Sequence, residues 1–284
     1  MISHLLADLS PTQTQMILQS AIAPRPIAFV STIDENGAIN LSPFSFFNMF
    51  SANPPIAIFS PAKRVRDNSS KHTLENVLQV KECVINMVSY DMVQQMSLAS
   101  TDYPKGVDEF VKAGFTALAS DIVKPPRVKE SPVQMECIVK EVIALGDAPG
   151  AGNLVIAEII KIHIAENILD ADGKIDPIKI NQVARLGGDW YARITEDSLF
   201  KVAKPLTTMG IGVDQIPYEF RNSTILTGNH LGKLGNVEQV PTISETEHNE
   251  FKIDDTIMLH QKIAALLDVD EVLTAWKIII ANKN

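Results

Sequence analysis

The stretch Ile27-Ala28-Phe29-Val30-Ser31-Thr32-Ile33-Asp34-Glu35-Asn36-Gly37-Ala38-Ile39-Asn40-Leu41-Ser42 decides the fold class. A short apolar and β-branched run meets the turn-forming quartet Asp34-Glu35-Asn36-Gly37, and a second strand pattern resumes at Ala38. That order spells a β-hairpin, and β character persists from Ile27 to Phe47. Further along, Ile56-Ala57-Ile58-Phe59 reads as a third strand after Asn53-Pro54-Pro55, and Cys83 to Val88 as a buried one. Val133 to Ala144 and Leu154 to Ala165 are the two longest strand candidates, joined by the turn-rich segment Gly146 to Gly152. Only short helices intervene: one from about Thr73 to Lys81 with Leu74, Val77 and Leu78 on one face, and one from Tyr90 to Ala99. Antiparallel-type strands with hairpin punctuation predict a barrel rather than a doubly wound sheet.

Upstream of the hairpin, Ser10-Pro11-Thr12-Gln13 predicts a helix start. Ser10 is the cap, Pro11 suits the first helical position and Gln13 closes a capping box. The helix should run to about Ser20, before Ala23-Pro24-Arg25-Pro26 forces an extended segment. Downstream, the barrel portion is expected to end near Leu206, giving domains at 1–206 and 207–284. In the second, Asn222 to Asn236 is polar and glycine-rich. Thr256 to Leu267 reads as a helix with Ile257, Ile263, Ala264 and Leu267 on one face, and Asp268 to Asn284 as a closing helix or strand. A C-terminal extension packed on the barrel or on a dimer is the expectation.

With 284 residues the chain can bury a real core, and 45% hydrophobic with 21% charged residues is ordinary for a globular protein. A net charge of -9 argues against sequence-independent nucleic-acid binding. No apolar run has membrane-spanning length, and Met1-Ile2-Ser3-His4-Leu5 lacks a signal-peptide pattern, so no membrane association and a cytoplasmic location are expected. Cys83 and Cys137 sit among apolar neighbours and read as buried reduced thiols.

The basic segment Ala62-Lys63-Arg64-Val65-Arg66-Asp67-Asn68-Ser69-Ser70-Lys71-His72-Thr73 crowds cations and hydroxyls into a loop that runs into a helix start. Unpaired backbone donors, a favourable dipole and guanidinium forks suit a phosphate; a solvated basic loop is the alternative. In Asn40-Leu41-Ser42-Pro43-Phe44-Ser45-Phe46-Phe47-Asn48, small hydroxyl residues beside aromatics suit a planar heterocycle, and an aromatic-packed core strand is the alternative. Gly228-Asn229-His230-Leu231-Gly232-Lys233-Leu234 fails as a nucleotide-triphosphate loop, one residue short and without Ser or Thr after the lysine. The histidines show no metal spacing, and no metal is expected. His163, at a strand end, is a weak catalytic candidate.

Taken in order, several segments resemble the flavin reductase-like family of FMN-binding split β-barrels, which includes flavoredoxin and the flavin reductase components of two-component monooxygenases. They are Pro24 to Ala28, Asn40 to Asn48, Asn53 to Pro55, Ser70 to Asn76, Tyr103 to Phe110, Lys124 to Val128, Glu130 to Pro132 and Arg185 to Tyr191. The resemblance covers about Ile17 to Pro205. It implies a mainly β fold with flanking helices, a six-stranded Greek-key split barrel that dimerises with FMN near the subunit interface. By position, Asn40, Leu41, Ser42, Pro43 and Ser45 would border the flavin ring. Ser60, Arg64, Arg66, Ser70, Lys71 and Thr73 would hold the phosphate, with Asn76 bracing the loop. Arg185, Gly187 and Tyr191 would lie near the flavin, in the same or the other subunit, and Tyr103 to Asp108 would rim the substrate side, a turn kept for packing being the alternative. His72 departs from the pattern, standing where many relatives carry an acidic residue.

The function so implied is an FMN-binding oxidoreductase, an NAD(P)H-dependent flavin reductase with NADH or NADPH as co-substrate and a monooxygenase or other electron acceptor as partner. Two other readings stay open. One is a flavoredoxin-like electron carrier reduced by a protein; the other is a non-redox binding protein on the same barrel.

Overall fold

In the computed structural model, which describes residues 1–283, the capping box forms as its residue types dictate. The Ser10 amide donates to Gln13 Oε1 (3.0 Å) and the Gln13 amide to Ser10 Oγ (3.3 Å), opening helix α1, Pro11–Ala21. Strands β1 (Ala28–Ile33) and β2 (Ile39–Phe44) then pair antiparallel, from Ala28 opposite Phe44 to Ile33 opposite Ile39. Asp34 closes their turn, its side chain accepting from the Asn36 and Ala38 amides, and Gly37 supplies the φ of +90° that a Cβ would resist.

The chain continues through β3 (Phe47–Ala52), β4 (Pro55–Phe59), α2 (His72–Gln79), β5 (Glu82–Met87), α3 (Val93–Leu98) and α4 (Glu109–Ala113). Two short strands, β6 (Ala117–Leu118) and β7 (Arg127–Val128), pair with each other. The long pair β8 (Val133–Ala144) and β9 (Asn153–Ile164) follows, then the small hairpin β10 (Val183–Arg185) and β11 (Tyr191–Arg193).

Seven strands form one antiparallel sheet in the order β2-β1-β5-β8-β9-β4-β3. Its two edge strands, β2 and β3, are consecutive in sequence with only Ser45 and Phe46 between them. Three Cα steps reach about 11 Å at most, so the sheet must curl until its edges approach each other, which makes it a barrel. The expected count of six returns only if residues 39–52 are taken as one strand bent at Ser45-Phe46.

Alternation along β1 sorts two cores. Ala28 and Val30 join Phe44, Phe59, Val77, Ile85, Met135 and Val155 in one cluster. Phe29 points the other way, with Leu41, to Met92, Met96 and Phe110 from the α3–α4 side. The β3 strand and α4 were not apparent from pattern alone. β3 carries exposed Met49 and Phe50 and so lacks alternation, while α4 has only five residues, capped by Asp108 and stopped by Gly114 at φ +74°.

Contacts divide the chain into two compact units, Met1–Leu199 and Phe200–Asn284. The second is helical: α5 (Tyr218–Arg221), α6 (Gly228–Gly235), α7 (Glu245–Glu250), α8 (Thr256–Asp268) and α9 (Val272–Asn282). Its core gathers Phe220, Leu234, Ile263, Leu267 and Ile279 around Trp276, whose indole N–H donates to the Leu234 carbonyl (3.0 Å). The polar, glycine-rich segment holds α6, opened by a capping box between Thr227 and His230. The closing segment, open between helix and strand, is helix α9. Among the described residues no helix is long and apolar enough to cross a membrane.

Candidate functional site

The basic loop between β4 and α2 is held at its base by backbone. The Ser60 amide donates to Phe46 O (2.8 Å), and Ser60 Oγ accepts from the Asn153 amide (3.1 Å). The Lys63 amide donates to Ala151 O (2.9 Å), and Asn68 Nδ2 to Asp147 O (3.1 Å). These bonds pin the loop to the β8–β9 turn, where a Cβ on Gly152 would lie 2.8 Å from Ser60 Oγ. The loop then folds on itself: Asn68, at φ +58°, donates its amide to Arg64 O, and Arg64 Nη1 donates to Ser69 Oγ (2.9 Å) and Ser70 O (2.6 Å). At the start of α2 Lys71 occupies the cap position without a side-chain cap bond.

Positive charge is in surplus here. Lys63, Arg64, Arg66 and Lys71 share the loop with Asp67 and the cleft with Asp102, while buried Glu109, accepting from the Leu41 amide, lines the recess behind Arg64 and Lys71. Arg64 Nη2 and Arg66 Nη2 each grip a separate oxygen of Asp102, and Arg66 Nε also reaches Asp67 (3.0 Å). Burial pushes the Asp102 carboxyl up, but the Arg64 hydrogen bond and the charges of Arg64, Arg66 and Lys71 outweigh it and hold it below the usual range. Lys71 is pushed down by burial first and by the Arg64 charge second. Among the described residues Lys71 has no carboxylate within ion-pair distance, and the buried Arg64 Nε has no hydrogen-bond partner. A desolvated ammonium and an orphaned guanidinium N–H are groups that an anion would satisfy.

They line a cleft of about 520 Å3, within the range of about 300–1,000 Å3 that holds a small ligand or cofactor. One wall is α1 (Gln15, Gln19), another is the β2–β3 bend (Pro43 to Phe46), and the basic loop with Asp102 forms the third. A smaller recess behind Arg64 and Lys71 reaches Asn40, Ser42, Thr73 and Tyr103.

Of the residues singled out from sequence, Pro43, Ser45, Ser60, Arg64, Arg66 and Lys71 meet in this cleft. Asn40 and Thr73 brace each other instead, Asn40 Nδ2 donating to Thr73 Oγ1 (2.8 Å), with Ser42 in the adjoining recess. Asn76 is buried and ties α2 to β1 through Thr32 Oγ1 (3.0 Å). Ser70 offers its carbonyl to Arg64. The Leu41 side chain enters the core on the α3–α4 side, and its amide donates to Glu109 Oε2 (3.0 Å).

Arg185, Gly187 and Tyr191 stand apart from the cleft within this chain. The Arg185 guanidinium lies over the Tyr191 ring (4.6 Å), and both border a second cavity of about 380 Å3 with Tyr90 and Arg193. Gly187 is pressed on α1, where a Cβ would come within 2.1 Å of Ser20 Oγ. His163 is near the far end of β9 from Asn153, about 30 Å of strand away, with Nε2 2.7 Å from Glu136 Oε1. Sequence reading held Lys63 and Phe46 within its two candidate segments but missed Gln15, Gln19 and, above all, Asp102. Asp102 is 36 residues from Arg66, and no local spacing announces that pairing.

Comparison with known proteins fits this geometry. The family profile "Flavin reductase like domain" matches residues 20–179. An uncharacterised protein of Aquifex aeolicus is 37% identical over 181 residues, covering 64% of this chain and 90% of that protein. Nitrilotriacetate monooxygenase component B from Bacillus cereus superposes with a TM-score of 0.66 at 29% identity, over 71% of this chain and 98% of the other. A structure described as a flavin reductase with a split barrel domain, from Shewanella frigidimarina, gives 0.60 at 27% identity, over 70% and 96%. With its barrel closed at the β2–β3 bend and its basic loop at the barrel end, this chain belongs to the flavin reductase-like domain family.

Proposed function

We propose that the cleft holds FMN and that the chain is an NAD(P)H-dependent flavin reductase. The observation that carries the proposal is the surplus of positive charge: among the described residues Lys71 has no carboxylate within ion-pair distance and the buried Arg64 Nε has no hydrogen-bond partner, and both residues line a cleft of flavin-holding size. Arg64, Arg66 and Lys71 hold the phosphate by charge-assisted hydrogen bonds, and Ser60 and Ser70 lie beside it. The bend Pro43 to Phe46 offers backbone and an aromatic flank to the ring. Asn40, Thr73 and Asn76 keep α2 registered on the barrel wall and so fix where Lys71 points. A bound flavin would supply the redox chemistry, accepting hydride from NADH or NADPH; the side chains orient it and exclude water.

Two copies complete the site in this reading. Arg185, Gly187 and Tyr191 lie outside their own chain's cleft, so they serve the flavin of a second subunit across a homodimer interface. The Bacillus cereus neighbour is a monooxygenase component, which supports a monooxygenase as the acceptor of the reduced flavin. Two free buried cysteines suit a reducing, cytoplasmic setting.

The test is an absorption spectrum of the protein incubated with FMN and desalted, followed by anaerobic NADH and then NADPH. Flavin bands that are retained and bleach on nicotinamide addition are expected. Bands that stay oxidised would replace the reductase with a carrier reduced by a protein donor. Absence of FMN binding even in a direct titration would remove the cofactor reading altogether.

A further inference from the structure

Asp102 occupies an unusual place for an acidic group. It lies inside the basic loop's own cation cluster, with one carboxylate oxygen on Arg64 and the other on Arg66, and it lines both the cleft and the recess behind it. Its side chain retains 27% exposure on the cleft side. Those guanidinium N–H groups are the ones an incoming phosphate needs. Resting on the FMN reading above, we infer that Asp102 is an internal counter-ion: it fills the phosphate seat when the cleft is empty and sets how tightly the phosphate is held.

The charge count supports this. At the cleft itself, Lys63, Arg64, Arg66 and Lys71 against Asp67 and Asp102 leave a surplus of two positive charges, close to the charge of about -1.5 to -2 on a phosphomonoester; Glu109, in the recess behind, is taken up by the Leu41 amide. A phosphate entering the cluster must either displace Asp102 from its two guanidinium partners or sit beside a like charge. Both weaken binding. Without the carboxylate, the empty protein would hold four mutually repelling cations against Asp67 alone, as the Lys71 ammonium, already disfavoured by burial and by Arg64, shows. Asp102 therefore stabilises the empty site and moderates the filled one, which makes FMN exchangeable rather than permanently held.

Asp102 also adjoins a loop. It precedes Tyr103 to Asp108, a segment tied to α2 by Lys105 on Glu75 (3.1 Å) and ending where Asp108 caps α4.

The experiment measures FMN and riboflavin affinity for the full chain and for Asp102→Asn and Asp102→Ala, with thermal melts of each empty protein as a folding control. Riboflavin lacks the phosphate and isolates its share. Both variants are expected to bind FMN roughly five- to tenfold tighter, the scale of one partly exposed charge interaction, to bind riboflavin as before, and to melt slightly lower when empty. Weaker or unchanged FMN binding in both folded variants would overturn the inference, since Asp102 would then be a scaffold for the arginines. Equal tightening for riboflavin would overturn it too. If the unaltered protein binds FMN and riboflavin equally, the phosphate site itself is wrong, an outcome distinct from the failure of Asp102 alone.

Discussion

The two ends of strand β9 carry charge clusters of opposite design. At the Asn153 end, four cations share two carboxylates, and Lys71 is left desolvated and unpaired. At the His163 end every strong charge is answered. Glu136, wholly buried, accepts from the Asp121 amide (2.9 Å), the Ile122 and Val123 amides (2.7 and 3.1 Å) and meets His163 Nε2 (2.7 Å). Asp121 is matched by Lys161 (2.5 Å) and Arg127 (3.6 Å). Asp121, Glu136 and His163 do bring ligand atoms within 4.8 Å of one another, but Lys161 and Arg127 already supply the positive charge that a cation would bring. Surplus charge calls for a ligand, and balanced charge holds a fold together.

The largest test of that contrast is Glu136→Ala. It strips three backbone amides and His163 of a fully buried acceptor, so a loss of about 2–4 kcal/mol is expected in denaturant unfolding. FMN affinity of the folded fraction should stay as it was; a selective loss of FMN binding with stability intact would reverse the roles assigned to the two ends.

Next in size is Lys71→Ala, with Arg64→Ala beside it. Each should weaken FMN binding by about 1.5–3 kcal/mol, roughly 10- to 100-fold, with riboflavin little affected. Lys71→Ala should leave the empty protein as stable as before or more so, because a desolvated charge is relieved. Unaltered FMN affinity in both variants would show the phosphate to lie elsewhere.

Gly187→Ala should cost about 1–3 kcal/mol, as a methyl is driven into Ser20 on α1. Ser20→Ala in the same chain should recover part of it, since the nearest clash is with the hydroxyl; no recovery in a double-mutant cycle would mean the backbone contact dominates.

The last test is in pH. Burial pushes the Glu136 carboxyl up, yet its amide and His163 partners hold it at about 2 against an ordinary 4.5. A depressed folded value means its stabilisation is complete above about pH 4.5 and drains away as pH falls toward 2. In the helical unit, burial lowers His260 below its ordinary 6.5, so that unit should lose stability at a higher pH, as acidity forces a proton onto the ring. Calorimetric scans from pH 7 to 3 should show the helical unit weakening first; simultaneous weakening of both units would contradict these assignments.

Legibility followed the range of the interaction. The Ser10 capping box, the Asp34–Gly37 turn and the extent of Val133–Ala144 are each set within a few residues, and the structure has them where the pattern put them. β3 escaped because its partner β4 and the open edge, not alternation, define it, and α4 because five residues carry too little period. The basic loop was readable as a phosphate candidate from composition alone. That Thr73 turns inward as a brace for Asn40, that Asn76 braces α2 on β1 through Thr32, and that Arg185 and Tyr191 border a separate cavity, was not.

By itself, then, the sequence determined the longer strands β1, β2, β4, β5, β8 and β9, the first hairpin, the capped helix α1 and the presence of a cation-rich loop before α2, because propensity, turn chemistry and charge are local properties of the chain. Tertiary structure alone decided that the sheet closes at Ser45-Phe46, that Asp102 fills the forks of Arg64 and Arg66, and that Glu136 meets His163. Those pairings join residues 27 to 38 positions apart or opposite edges of one sheet, and their energies exist only once folding has removed the intervening water.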